Sequence, residues 1–75
     1  MTETYEFRIA GRLSADLLRT FEPTEVDRDH GETVFIRTVL DAGELFGVIS
    51  RCEALGLQLV GLRKLPAQMP TTQPR

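Results

Sequence analysis

The segment Thr33-Val34-Phe35-Ile36-Arg37-Thr38-Val39-Leu40-Asp41-Ala42-Gly43-Glu44-Leu45 contains the change of period that organises this chain. As far as Leu40 it is rich in β-branched residues, which pack well on a pleated surface, and it reads as the strongest strand. Successive strand residues point to opposite sides, so Val34, Ile36, Thr38 and Leu40 share one face and Phe35, Arg37 and Val39 the other. At Asp41 the alternation stops. Asp41-x-x-Glu44 matches a capping box, and Leu45, Val48, Ile49, Cys52 and Leu55 then recur at helical spacing. A helix over 42–55 follows, with Gly56 where a left-handed C-cap is favoured.

Working outward, Asp29-His30-Gly31-Glu32 supplies turn chemistry before the strong strand, and 24–29 reads as its hairpin partner. Glu25, Asp27 and Asp29 line one face of that partner strand, and Val26 is its only clear apolar anchor. Residues 4–12 alternate cleanly, with Tyr5, Phe7 and Ile9 on one side and Glu6, Arg8 and Ala10 on the other. Ser14 is a plausible N-cap for a short helix over 15–21, which must stop before Pro23. Beyond Gly56, residues 57–65 form a last strand that Pro66 ends. The remaining residues to Arg75 are rich in Pro, Gln and Thr and read as a disordered tail.

The order β-α-β-β-α-β, with right-handed crossovers, predicts an α+β, ferredoxin-like domain over residues 4–65. Four antiparallel strands would carry both helices on one face. The first and third strands would be central and the second and fourth would be edges. Repeated acidic charge on the second strand discourages edge-to-edge pairing there.

At 75 residues there is room for one small domain, whose core is marginal by itself. Nine basic residues face eleven acidic ones without a basic stripe, which argues against nucleic acid as the main partner. Eight of the nine are arginines, a bias more simply explained by a GC-rich genome than by anion binding. No apolar run approaches the roughly 20 residues of a membrane span, and the acidic start differs from a basic signal peptide. A single cysteine, Cys52, excludes an internal disulfide and suggests a reducing, cytoplasmic setting.

No catalytic, cofactor or metal site is expected. His30 sits among carboxylates, but the spacing Asp27-x-Asp29-x-Gly31 fails the calcium-loop pattern, and a solvated turn explains it. Cys52 falls on the apolar stripe of the main helix and reads as core. Gly31 to Arg37 superficially matches the third strand of an RNA-recognition domain, but Glu6 and Arg8 stand where stacking aromatics would be needed. Gly43 and Gly47 lie opposite the helix stripe, and Phe46 is expected to fill the seam between the helices.

The strongest functional signal is the failure of the third and fourth strands to alternate. Assigning Phe35, Val39, Val60 and Leu62 to the open face predicts an exposed apolar patch, bordered by Arg8 and Arg37. The expectation is a non-enzymatic homodimerisation or protein-interaction module using that face. Two alternatives are a small anionic ligand held by Arg8 and Arg37, and weak nucleic-acid binding.

The run Tyr5-Glu6-Phe7-Arg8-Ile9-Ala10-Gly11-Arg12-Leu13, the spacing Val39-Leu40-Asp41-x-x-x-Leu45-x-Gly47, and Leu55-Gly56-Leu57-x-Leu59 are similar to a family of short bacterial, mainly actinobacterial, proteins of unknown function. The resemblance covers residues 5–62. It departs from the usual pattern at Leu17-Leu18, where many relatives carry an aromatic such as Trp. It implies the βαββαβ fold and a bacterial origin, and carries over no functional residues.

Overall fold

A computed structural model describes residues 2–66, so most of the expected tail lies outside the described residues. The elements are β1 (Glu3–Ala10), α1 (Ala15–Thr20), β2 (Glu25–Asp29), β3 (Glu32–Val39), α2 (Ala42–Ala54) and β4 (Leu59–Lys64). The strands form one sheet in the order β2-β3-β1-β4, every neighbouring pair antiparallel. This is the ferredoxin-like α+β arrangement. Its central strands are β1 and β3.

Local chemistry sets each boundary. The Ser14 hydroxyl accepts the Leu17 N–H at 3.1 Å and opens α1. Asp41 accepts the Glu44 N–H at 2.9 Å, while the Glu44 carboxylate reaches back to the Leu40 N–H at 2.6 Å. That variant of the capping box satisfies donors at the start of α2. At the other end of α2, Gly56 N–H donates to Glu53 and Leu57 N–H to Cys52, a Schellman motif with Gly56 at φ +75°. The β2–β3 hairpin turns on His30 and Gly31, both at positive φ, the signature of a two-residue type I′ turn. His30 is thus a turn residue whose imidazole lies in solvent.

The core lies between the sheet and the helices. Phe7, Phe21 and Phe35 stack in series, with ring centroids 4.9 and 5.1 Å apart, and Ile9, Leu18, Val48 and Cys52 close around them. Stacked rings at these separations add to what their buried area contributes. Among the described residues one polar side chain is fully buried, and it is satisfied. Thr33 donates to the Gly11 carbonyl at 2.8 Å and accepts the Leu13 N–H at 3.1 Å, pinning the β1–α1 loop to β3.

The register of β3 overturns the expected open face. Phe35 pairs with Phe7, and residues directly opposite across an antiparallel pair project to the same side. Phe35 and Val39 therefore lie on the helix side and are fully buried. Both faces of β3 are apolar, so its own alternation does not say which one meets the helices. On the open side Val34 is also buried, despite having no helix over it.

Candidate interaction surface

The open face is polar. Along β1 it presents Thr4, Glu6 and Arg8, along β3 Val34, Ile36 and Thr38, and along β2 Glu25, Asp27 and Asp29. Arg8 reaches Glu32 at 2.9 Å and Asp29 at 3.4 Å, and the Glu32 bond chiefly holds its pKa above the ordinary arginine value. Arg63 pairs with Glu6 at 3.3 Å. Carboxylates outnumber cations on this face, a poor surface for phosphates.

Arg37 lies elsewhere. Opposite Tyr5, it projects to the helix side and pairs with Glu44 at 2.9 Å. Arg8 and Arg37 are on opposite faces and each is bound to carboxylates, so they form no joint anion site. The cleft of about 310 Å³ beside Arg37 also contains Glu22, Glu44 and Arg51, which balances its charge. Among the described residues no group of three or more His, Cys, Asp or Glu could hold a metal ion. Cys52 is buried, and burial, aided by the charge of Glu53, pushes its thiol pKa up.

Among the described residues the exposed large apolar side chains are dispersed, with Val26 on β2, Leu40 just after β3, Phe46 and Leu55 at α2, and two, Val60 and Leu62, on β4. Arg8 pairs with Gly61 but the next β1 residue, Ile9, pairs with Leu59, so Val60 is the extra residue of a β-bulge. Leu62 pairs with Phe7 and so projects to the helix side, where it is 41% exposed. Leu62 and Val60 thus belong to a margin rather than to the open face. Phe46, 62% exposed, is outside the helix seam. The flank of α2 that looks toward α1 carries Glu44, Gly47, Val48 and Arg51. Phe46, 100° around the helix from Leu45, falls on the flank turned away from α1. The signal for this was in the sequence: Phe46 stands off the Leu45, Val48, Ile49, Cys52 stripe.

The backbone of β4 adds a second feature. Leu65 N–H donates to the Thr4 carbonyl at 2.8 Å, which sets the alternation of the ladder. Glu6 and Arg63 are then a hydrogen-bonded pair, and Phe7 with Leu62 and Tyr5 with Lys64 are not. The N–H and C=O of Leu62 and Lys64 point away from the sheet. The other edge differs: β2 carries Glu25, Asp27, Arg28 and Asp29, with Val26 its one apolar side chain. Lys64 is held by Glu3 at 3.1 Å, and that bond raises its pKa.

A family model described as a domain of unknown function (DUF8691) matches residues 4–63. No curated protein and no solved structure matches the chain.

Proposed function

Because the chain belongs to the DUF8691 family, whose description assigns no activity, we propose from its geometry that it is a non-enzymatic protein-interaction module that self-associates through the β4 margin. One observation carries this reading. Of the two sheet edges, β2 carries four charged residues around Val26, whereas β4 presents the outward backbone groups of Leu62 and Lys64 beside the exposed Val60 and Leu62. An unpaired sheet edge is a template for strand addition. A small domain with a marginal core gains stability from covering it.

The setting we infer is a reducing, bacterial cytoplasm, consistent with a single buried thiol. Neither alternative ligand class is favoured: the arginines proposed for an anion are separated and paired, and the open face is acidic.

Sedimentation equilibrium from low micromolar to submillimolar protein tests the proposal. The expected mass rises to twice that of one chain. Leu62→Lys, at an exposed position, should hold it at one chain with unchanged circular dichroism. A single-chain mass across the whole range, or a dimer indifferent to the substitution, would reject the β4 margin.

A further inference from the structure

The cleft of about 310 Å³ between the end of α1 and α2 includes no residue of β4, and in it opposite charges share one cavity without meeting. Phe21 and Glu22 line it after α1, Gly47 and Arg51 line it from α2, and the Arg37–Glu44 pair completes it. We infer that this cleft binds a compact zwitterion, a free α-amino acid with an uncharged side chain, its carboxylate on Arg51 and its ammonium on Glu22.

The charges decide the ligand class. Arg37 and Glu44 are engaged with each other at 2.9 Å, and the other Glu44 oxygen accepts the Leu40 N–H. Glu22 and Arg51 differ, because among the described residues neither forms an ion pair. A carboxylate and a guanidinium that line one cavity out of contact with each other leave room for a molecule carrying both charges. A simple anion would be opposed by Glu22 and a simple cation by Arg51. With two cations and two carboxylates the lining is neutral overall, which matches a ligand of no net charge. The volume stands at the small end of the roughly 300–1,000 Å³ usual for ligand sites, so the occupant is small.

Two residues of the lining oppose the stability of the fold. Glu22 follows α1 at φ +50°, in the left-handed region where glycine is the usual choice, and it precedes Pro23, which favours extended backbone. Gly47 lies inside α2, where alanine would stabilise the helix. A Cβ at Gly47 would meet nothing within 4 Å, so no contact within the described chain requires glycine there. What its missing side chain provides is space in the cleft. Gly47 lies one turn before Arg51, and helical side chains tilt toward the N-terminal turn, so a side chain at 47 would stand beside the Arg51 guanidinium and fill the cavity. A strained residue and a helix glycine that meet at one cavity fit a place where stability has been exchanged for binding.

Titration of the ¹⁵N-labelled chain with L-serine, L-threonine and L-glutamine, read from amide chemical shifts, tests the inference. At least one of the three should give saturable shifts centred on Glu22, Gly47 and Arg51. Capping either charge of that amino acid, as its N-acetyl derivative or its amide, should weaken binding by about tenfold or more, the effect of losing one charge-assisted hydrogen bond. Glu22→Gln should weaken the free amino acid to the same extent yet leave the N-acetyl derivative unchanged, and Arg51→Gln should do so with the amide. Gly47→Leu should raise Tm while abolishing the shifts, which separates a filled cleft from a lost fold. The inference is overturned by the absence of saturable shifts with all three amino acids, by shifts centred elsewhere, by capped derivatives that bind as well as the free amino acid, or by a Gly47→Leu chain that binds like the native one. None of these results bears on the β4 margin, whose residues the cleft does not include.

Discussion

At the scale of single residues, Cys52 links burial to pH. Its side chain sits in the core beside Val48, and desolvation first, then the neighbouring Glu53 charge, raises its pKa. A thiol raised in the folded state remains protonated there while the unfolded chain ionises near its ordinary value of about 8.5. The folded form therefore binds more protons in that window. Its stability is complete below the unfolded value and falls as pH rises toward the folded one. Urea unfolding at near-neutral and mildly alkaline pH should show the native chain losing more stability on alkalinisation than Cys52→Ala, which has no thiol to ionise. Parallel losses in both proteins would mean that the thiol is not desolvated. Lys64, raised by Glu3, remains charged under both conditions and does not enter the comparison.

At the scale of elements, β3 shows what periodicity conveys and what it omits. The change from period two to helical spacing at Asp41, the cap at Ser14, the Gly56 terminus and the βαββαβ order were all legible, because each depends on residues close in sequence. The side of β3 that meets the helices was not. Val34 and Ile36 on one face are as apolar as Phe35 and Val39 on the other, and the choice between them is made by pairing with β1, where Phe35 meets Phe7. Arg8 and Asp27 stand directly opposite Val34 on the open face, and the long aliphatic stem of Arg8 accounts for an aliphatic residue buried without a helix above it. Of the six residues expected to form one surface, only Val60 and Leu62 share the proposed margin. The others divided because the parity of β3 was reversed. The assignment has an energetic consequence. Phe35→Ala removes the middle ring of the three-ring stack and should cost about 3–5 kcal/mol, a large part of the roughly 4–11 kcal/mol expected for a domain of this length. Ile36→Ala, half-buried on the opposite face, should cost less than about 2 kcal/mol. Denaturant midpoints of the two variants decide the matter, and the reverse ranking would put the helices on the wrong side of β3.

At the scale of the whole molecule, association and stability become one quantity. If β4 joins β4 of a second copy, unfolding a dimer produces two chains, and mass action makes the melting temperature depend on concentration. Above the dissociation constant, each tenfold rise in protein adds about 1.4 kcal/mol per dimer, or roughly 0.7 kcal/mol per chain. For a domain of this size that corresponds to an increase of about 3–5 °C in Tm per decade. Leu62→Lys should flatten the dependence, because it places a charge in the middle of the proposed β4 contact. Arg28→Ala, on the charged β2 edge, should leave the slope intact even if it lowers Tm by removing the 3.1 Å bond to the Leu13 carbonyl. The contrast separates losing an interface from losing a fold. A change at β4 would alter the slope, whereas a change at β2 would shift the whole curve. Scanning calorimetry on the three proteins over two decades of concentration measures both. A native Tm independent of concentration, in a chain known to dimerise over that range, would show that the dimer comes apart before its chains unfold, and the β4 contact would then add nothing to the stability of the fold.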